Sequence, residues 1–264
     1  FLKVESPQRF STFLVLNGEQ MNIALLGYGK MGREIEAIAL ERGHTIAERF
    51  DEFTPLTPAL AAQFPKNNIH CCIDFSVPSA APFNITTVSA VQVPIVVGTT
   101  GWNNEFEAMK NIVLKNNGAI VYGSNFSIGA QMFFCIVSAA SALMNNFSDY
   151  DVAVHEIHHT MKKDAPSGTA LTIAEKILAQ MKRKTALKFP TDTSLIQANE
   201  ILVSSSRIGS VFGTHTVQFN SAADDIELTH RAHNRKGFAL GAVLAAEWIQ
   251  EKKGVFSVEE FLFG

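Results

Sequence analysis

Apolar positions in this chain follow two different rhythms, and the change from one to the other divides it. Asn22–Leu26 is a short apolar run that leads into a glycine-rich turn; Ile35, Ile38 and Ala39 then recur at helical spacing until Gly43. A second strand, Thr45–Phe50, ends at Asp51. Prolines and polar residues over 54–68 suggest an excursion with a short helix, and 69–75 reads as the next buried strand. Ser76 is expected to cap a helix with Pro78 in its first turn. Strands follow at 93–97 and Ala119–Tyr122. From Ile128 the order changes: a long apolar helix over 128–143, a strand at 150–157 and a helix over 169–182. Strands at 201–207, 213–219 and Asp225–Arg231 have no helices between them. A last helix covers 238–251, and residues 185–200 carry no clear pattern.

Strands alternating with helices in the first half predict an α/β fold with a Rossmann-type doubly wound parallel sheet. The consecutive strands that follow predict a C-terminal α+β domain with a mixed open sheet. The expected division is a dinucleotide-binding domain over 21–127 and 234–264, with a substrate-binding and oligomerisation domain over 128–233. Phe1 to Gln20 has no evident role beside the natural-looking start at Met21, and is read as an added or disordered leader without a secretory pattern.

Composition adds exclusions. The 264 residues are 47% hydrophobic and 18% charged, as in an ordinary globular protein. A net charge of −3 with no Lys/Arg-rich run argues against nucleic acid as a partner. The uncharged run 123–148 is broken by Asn125, Ser127, Gln131, Ser138, Ser141 and Asn145, which predicts a buried helix and no membrane span. Cys71, Cys72 and Cys135 lack disulfide or CxxC spacing, which fits reduced thiols and a cytoplasmic protein.

The first turn carries the first chemistry. Gly27, Tyr28, Gly29, Lys30, Met31 and Gly32 form a GxGxxG sequence between a strand and a helix. Such glycines permit a tight turn, admit a pyrophosphate to the backbone and let the helix pack on the strand. Asp51 ends the next strand, where a carboxylate accepts from a ribose 2′-hydroxyl and favours NAD. Arg49 and Lys66 could instead neutralise a 2′-phosphate, so NADP stays open. Two further strands end in small polar residues, Gly98, Thr99, Thr100 and Gly101, then Gly123, Ser124, Asn125, Phe126 and Ser127. They lie at the C-terminal sheet edge where open α/β sheets bind ligands.

A second centre lies in the stretch from His155 through Glu156, His158, His159, Lys162, Lys163 and Asp164 to Pro166, Ser167, Gly168 and Thr169. The last four residues open a helix, whose first N–H groups lack internal partners and carry the positive end of the helix dipole. A carboxylate or phosphate suits that end, and His158 and Lys162 beside it can supply a proton. Ligation of a metal by His155, His158 and His159 competes poorly: a strand splits them across two faces, and Lys162 would repel a cation. Ser167 lacks the surroundings of a nucleophile. The bland alternative is a basic loop before a well-capped helix.

His158-His159-x-x-Lys162-x-Asp164-Ala165-Pro166-Ser167-Gly168-Thr169-Ala170 resembles the signature of the 4-hydroxy-tetrahydrodipicolinate reductases, also called dihydrodipicolinate reductases. The glycine turn, Val97 to Gly101, Asn125 to Gly129 and His230-Arg231-Ala232 resemble the same family, in order from Met21 to Gly264. The resemblance implies reduction of a small cyclic dicarboxylate with NADH and/or NADPH and loss of water, in diaminopimelate and lysine biosynthesis. It also implies a homotetramer joined through the C-terminal sheet, and a last helix that packs on the nucleotide domain. By position it makes His158 the catalytic histidine and Lys162 the proton donor. His159, Ser167, Gly168, Thr169 and Thr100 become substrate contacts. Cofactor contacts fall on Gly27, Tyr28, Gly29, Lys30, Met31, Gly32, Asp51, Gly98, Thr99, Thr100, Gly123, Ser124, Asn125 and Phe126. The chain departs from the family at Thr160 and Met161, where many members carry Arg and His, at a glycine loop one residue shorter than in some, and at Asp51 in place of a Glu-Arg pair.

Overall fold

The computed structural model describes residues 19–264 and divides into two compact units. The first runs to Tyr122 and resumes over Val243–Phe256; the second comprises Gly123–Ala242 and Ser257–Gly264.

In the first unit, β1 (Asn22–Leu26), α1 (Lys30–Glu41), β2 (Thr45–Phe50), α2 (Pro58–Ala61) and β3 (Cys71–Asp74) come first. Then follow α3 (Ala81–Ala90), β4 (Ile95–Val97), α4 (Phe106–Lys115) and β5 (Ala119–Tyr122). The strands lie in the order β5-β4-β3-β1-β2, each neighbouring pair parallel. β11 (Gly254–Ser257) extends the sheet beside β5. The central strands are mostly apolar because helices must cover both faces of a parallel sheet, Asp74 at the end of β3 being a buried exception. Ile23, Leu25, Ile73, Ile95 and Phe64 are all but fully buried, each contributing roughly 1.5–3 kcal/mol. Arg42 and the buried His44 both reach Glu247, which fixes the start of β2 to the closing segment of this unit.

The second unit contains α5 (Ile128–Met144), β6 (Asp151–His158), α6 (Gly168–Gln180), β7 (Ala186–Lys188), β8 (Glu200–Arg207), β9 (Thr214–Asn220) and β10 (Asp225–Arg231). The sheet order is β10-β9-β6-β8-β7. β6 runs antiparallel to β9 and parallel to β8, so the sheet is mixed, as the strand spacing predicts. Val152 and Val154 of β6 pack with Phe133, Phe134, Ala170 and Ile173 from α5 and α6. α7 (Lys236–Trp248) and α8 (Val258–Phe263) complete the chain. Ser257 and Glu260 form a reciprocal capping box at the start of α8. No helix among the described residues is long and apolar enough to cross a membrane.

Several boundaries differ from the sequence expectation. α3 begins at Ala81, five residues after Ser76, because the Ser76 hydroxyl donates to Asp74 at 2.7 Å and does not cap a helix. β7 emerges in the patternless 185–200 stretch, and β11 and α8 were not anticipated. α5 is not wholly buried: Met132, Ile136 and Leu143 are about half exposed. The leader assignment for residues 1–18 lies outside the described residues.

Candidate active site

In the first unit the glycine turn is shaped by contacts that leave no room for side chains. Gly27 has φ +95°, and a Cβ there would stand 2.3 Å from the Phe75 carbonyl oxygen. A Cβ on Gly32 would come equally close to the Gly27 carbonyl, so the first turn of α1 packs directly on the loop. At Gly98 a Cβ would enter the Phe75 ring. Gly29, by contrast, faces open space, and α1 begins there without a side-chain cap. Its first N–H groups are therefore available to an anion, and the residues present fit a dinucleotide pyrophosphate.

Around this turn the polar groups are pre-arranged. Asp74, fully buried, accepts from Thr99 Oγ1 at 2.6 Å, from Ser76 N and Oγ, and from Asn84 at 2.8 Å. Thr99 Oγ1 also accepts from Ser76 N, tying the end of β3 to the end of β4. Thr100, next in the chain, is exposed, and Trp102 Nε1 donates to the Thr99 carbonyl at 2.7 Å. Tyr28 donates to Glu36, and the guanidinium groups of Arg33 and Arg49 lie over its ring at 5.7 and 5.6 Å. Lys30 is exposed and Met31 half-buried. Arg49 is also held by Glu36, whose carboxyl that hydrogen bond keeps below its ordinary range. Asp51 Oδ1 accepts from Phe53 N, Thr54 N and Thr54 Oγ1; Oδ2 has no hydrogen-bond partner among the described residues. One carboxylate oxygen thus folds the turn.

In the second unit, alternation along β6 sends Val154, Glu156 and His158 inward and Ala153, His155 and Ile157 to the other face. Glu156 has no solvent exposure. Its Oε1 accepts from Ser167 N at 2.9 Å, Ser205 Oγ at 2.8 Å and Arg207 at 3.1 Å. Its Oε2 accepts from Ser167 Oγ and faces His158 Nδ1 at 3.2 Å and His215 Nε2 at 3.6 Å. Burial alone would raise the Glu156 carboxyl; His158, His215, Ser167 and Ser205 outweigh it and hold the group far below its ordinary range. His215 is pushed down, chiefly by burial, against the pull of Glu156.

The basic turn follows. Both oxygens of Asp164 accept from Lys162 Nζ, at 2.8 and 2.9 Å, and Lys162 N donates to the His159 carbonyl at 3.1 Å. Burial raises the Asp164 carboxyl, but Lys162 outweighs it and the net direction is down. His159, one residue beyond the end of β6, is half-buried. The Ser167 hydroxyl is turned inward, donating to Glu156 and accepting from Ala170 N at 3.2 Å as the cap of α6. Gly168 is exposed, and a Cβ there would meet nothing within 4 Å, so the helix start is open to an anion. Thr169 Oγ1 accepts from Asn125 Nδ2 at 3.3 Å. Asn125 also accepts from Ser127 N, which ties the loop after β5 to the first turn of α6. Ser124 in that loop is exposed, Phe126 is buried, and Gly123 packs against Val258, 2.8 Å from a Cβ position.

His155, His158 and His159 do not converge, since His155 bonds Ser204 at 2.8 Å on the other face. Among the described residues the donors that come within 4.8 Å of one another are those of Glu156, His158 and His215. Glu156 is already saturated by N–H and O–H donors, including Arg207, so the set is a hydrogen-bond network ill suited to a cation. Sequence reasoning passed over His215, Ser205 and Arg207. They reach Glu156 only through the pairing of β6 with β8 and β9, and the one local signal was the period-two spacing of Glu156 and His158.

The model described as dihydrodipicolinate reductase, N-terminus, matches residues 21–126, and its C-terminal counterpart matches 129–262. A 4-hydroxy-tetrahydrodipicolinate reductase from Christiangramia forsetii is 41% identical over 242 residues, 92% of this chain and 98% of its own. Its namesake from Rickettsia bellii is 33% identical over 255 residues, 91% of this chain and 94% of its own. A dipicolinate-bound dihydrodipicolinate reductase from Paenisporosarcina sp. TG-14 superposes with a TM-score of 0.73 at 22% identity, over 91% of this chain and 98% of that one, and so shares the fold. Matched by both models along nearly all of its described length and by relatives of its own size, the chain belongs to the dihydrodipicolinate reductase family.

Proposed function

We propose that the protein is an NAD(P)H-dependent 4-hydroxy-tetrahydrodipicolinate reductase, forming tetrahydrodipicolinate with loss of water in diaminopimelate and lysine biosynthesis. Family membership and the names of its relatives support the reaction. The observation that carries it on this chain is that each unit has its own open helix start, the uncapped one of α1 at Gly29 and that of α6 at Gly168. The first suits a dinucleotide and the second a carboxylate.

A bound reduced nicotinamide supplies the hydride. The first unit holds the cofactor through Gly27, Tyr28, Gly29, Lys30, Met31 and Gly32, through Asp51, and through Gly98, Thr99 and Thr100. The loop of Gly123, Ser124, Asn125 and Phe126 completes that set. Gly168 and Thr169 hold one substrate carboxylate, with His159 and Thr100 as further contacts; Ser167, whose N–H and hydroxyl are both given to Glu156, takes part by capping α6 beside them. Lys162 delivers the proton that balances hydride addition, and His158 orients the ring and stabilises developing charge. Release of Lys162 from Asp164 accompanies that role.

The finer organisation is also proposed: a cytoplasmic homotetramer, with the dinucleotide domain over 21–127 and 234–264. The sheet face bearing Ala153, His155 and Ile157 would make the subunit contacts, and its half-exposed residues support this. The test is oxidation of NADH and NADPH, followed by absorbance, with the unstable substrate generated in place by its upstream synthase. Turnover that requires the synthase supports the reading; none with either cofactor overturns it.

A further inference from the structure

Glu156 is the most connected carboxylate of the second unit. Its partners come from four places in the chain: His158 on β6, Ser205 and Arg207 on β8, His215 on β9 and Ser167 at the start of α6. A buried carboxylate without donors would be costly, and this one is surrounded by them.

We propose that Glu156 is the positioning residue of the basic turn: one buried carboxylate sets the tautomer of His158 and at the same time pins Ser167, so that the imidazole and the α6 start hold a fixed relation. The inference rests on the functional reading above.

An ionised carboxylate offers acceptors only, whereas every group turned toward Glu156 can donate. Ser167 gives its hydroxyl proton to Oε2, which leaves the hydroxyl oxygen to accept from Ala170 N and from His215 Nε2 at 3.3 Å. His158 Nδ1 is buried with no aligned hydrogen bond, and the carboxylate oxygen 3.2 Å away is an anion. A proton on Nδ1 is attracted by that oxygen; a bare lone pair there would be repelled. The neighbour of one ring nitrogen decides which nitrogen carries the proton, so His158 keeps Nδ1–H inward and Nε2 free to accept. The ring is held from the side by His215, T-shaped at 5.1 Å, and by Gly213.

The other charged groups act in the same sense. Arg207 neutralises Oε1 and also donates to the Asp164 carbonyl, which ties the network to the turn bearing Lys162. Burial chiefly disfavours a proton on His215, with His158 and Lys162 acting in the same sense, and burial followed by His215 and His233 does so for His230. Glu156 is therefore the anion around which His158, His215, Arg207 and Lys162 are balanced.

The experiment is ring-¹⁵N-histidine NMR of the full chain, wild type and Glu156→Gln, with steady-state kinetics on both and His158→Gln used to assign the signal. Neutral His158 should be the Nδ1–H tautomer in the wild type and move toward Nε2–H in Glu156→Gln. In that variant kcat should fall on the order of 10–100-fold with a smaller change in KM, since the amide oxygen still accepts from Ser167 N. A wild-type His158 in the Nε2–H form, or a tautomer unchanged by Glu156→Gln, overturns the proposal. The wild-type spectrum decides even if the variant does not fold. It is read without substrate, so a wild type that lacks turnover would remove the assigned reaction and leave the positioning role to the NMR result.

Discussion

Gly213 and His158 are packed so tightly that a Cβ at 213 would stand 3.0 Å from the imidazole Nε2. The neighbour must give by a few tenths of an ångström, and here the neighbour is the histidine assigned to orient substrate. Gly213 also sits at φ +158°, so Gly213→Ala is expected to lower Tm somewhat and to lower kcat on the order of tenfold, because small displacements of a reacting group are amplified in rate. Steady-state kinetics beside a thermal melt checks this; a melting point that falls while kcat holds would locate the damage elsewhere.

The glycine turn separates folding from binding. Gly27→Ala places a Cβ 2.3 Å from a backbone oxygen at φ +95°, a conformation that costs an L-residue roughly 1–2 kcal/mol before the clash. A fall in Tm of several degrees is expected. Gly29→Ala meets no atom within 4 Å and has an ordinary φ of −83°, so Tm should stay put. Its methyl group enters the space where a pyrophosphate approaches, and NADH affinity should drop about tenfold or more. Calorimetric titration with NADH would detect the loss; undiminished binding would show that the phosphates lie elsewhere.

Cofactor choice follows from Glu36 and Asp51. Arg49 is engaged by Glu36, and Asp51 keeps Oδ2 free, which favours a ribose hydroxyl over a 2′-phosphate. NADH should give the higher kcat/KM. Glu36→Gln weakens the hold on Arg49 and should shift the NADPH/NADH ratio of kcat/KM about tenfold toward NADPH. An unchanged ratio would mean that Arg49 plays no part.

Acid should destabilise the second unit in two stages. His215 lies below its ordinary 6.5, chiefly through burial, so the native protein binds fewer protons there than the unfolded chain. That stability is present above pH 6.5 and declines as pH falls toward the folded value. Glu156 is held below its ordinary 4.5 against the opposing effect of burial, so its contribution is complete above pH 4.5 and declines on further acidification. Urea midpoints measured between about pH 7 and about pH 2 should fall in both windows. His215→Gln should flatten the upper part and Glu156→Gln the lower part.

What could be read in the chain was what local physics imposes. Gly27 and Gly32 leave a mark because only glycine tolerates their positions, and β6 because its apolar residues alternate. The Ser76 helix start was misjudged because Asp74 at the end of β3 and Thr99 just past β4 claim its hydroxyl and its N–H. The Glu156 network was invisible for the same reason. Ser205, Arg207 and His215 lie 49 to 59 positions away in sequence, and strand register alone brings them in. β7 and β11, three and four residues long, are too short to show a period.

The central claim is that the basic turn divides its work between a proton donor at Lys162 and an anion site at Gly168 and Thr169. The most direct measurement is the split of kcat and KM in Lys162→Ala and Thr169→Val under saturating cofactor. The account predicts a loss of kcat on the order of 100-fold or more with little change in KM for Lys162→Ala. It predicts a rise in KM of about tenfold with kcat largely kept for Thr169→Val. An unchanged kcat in Lys162→Ala would contradict it.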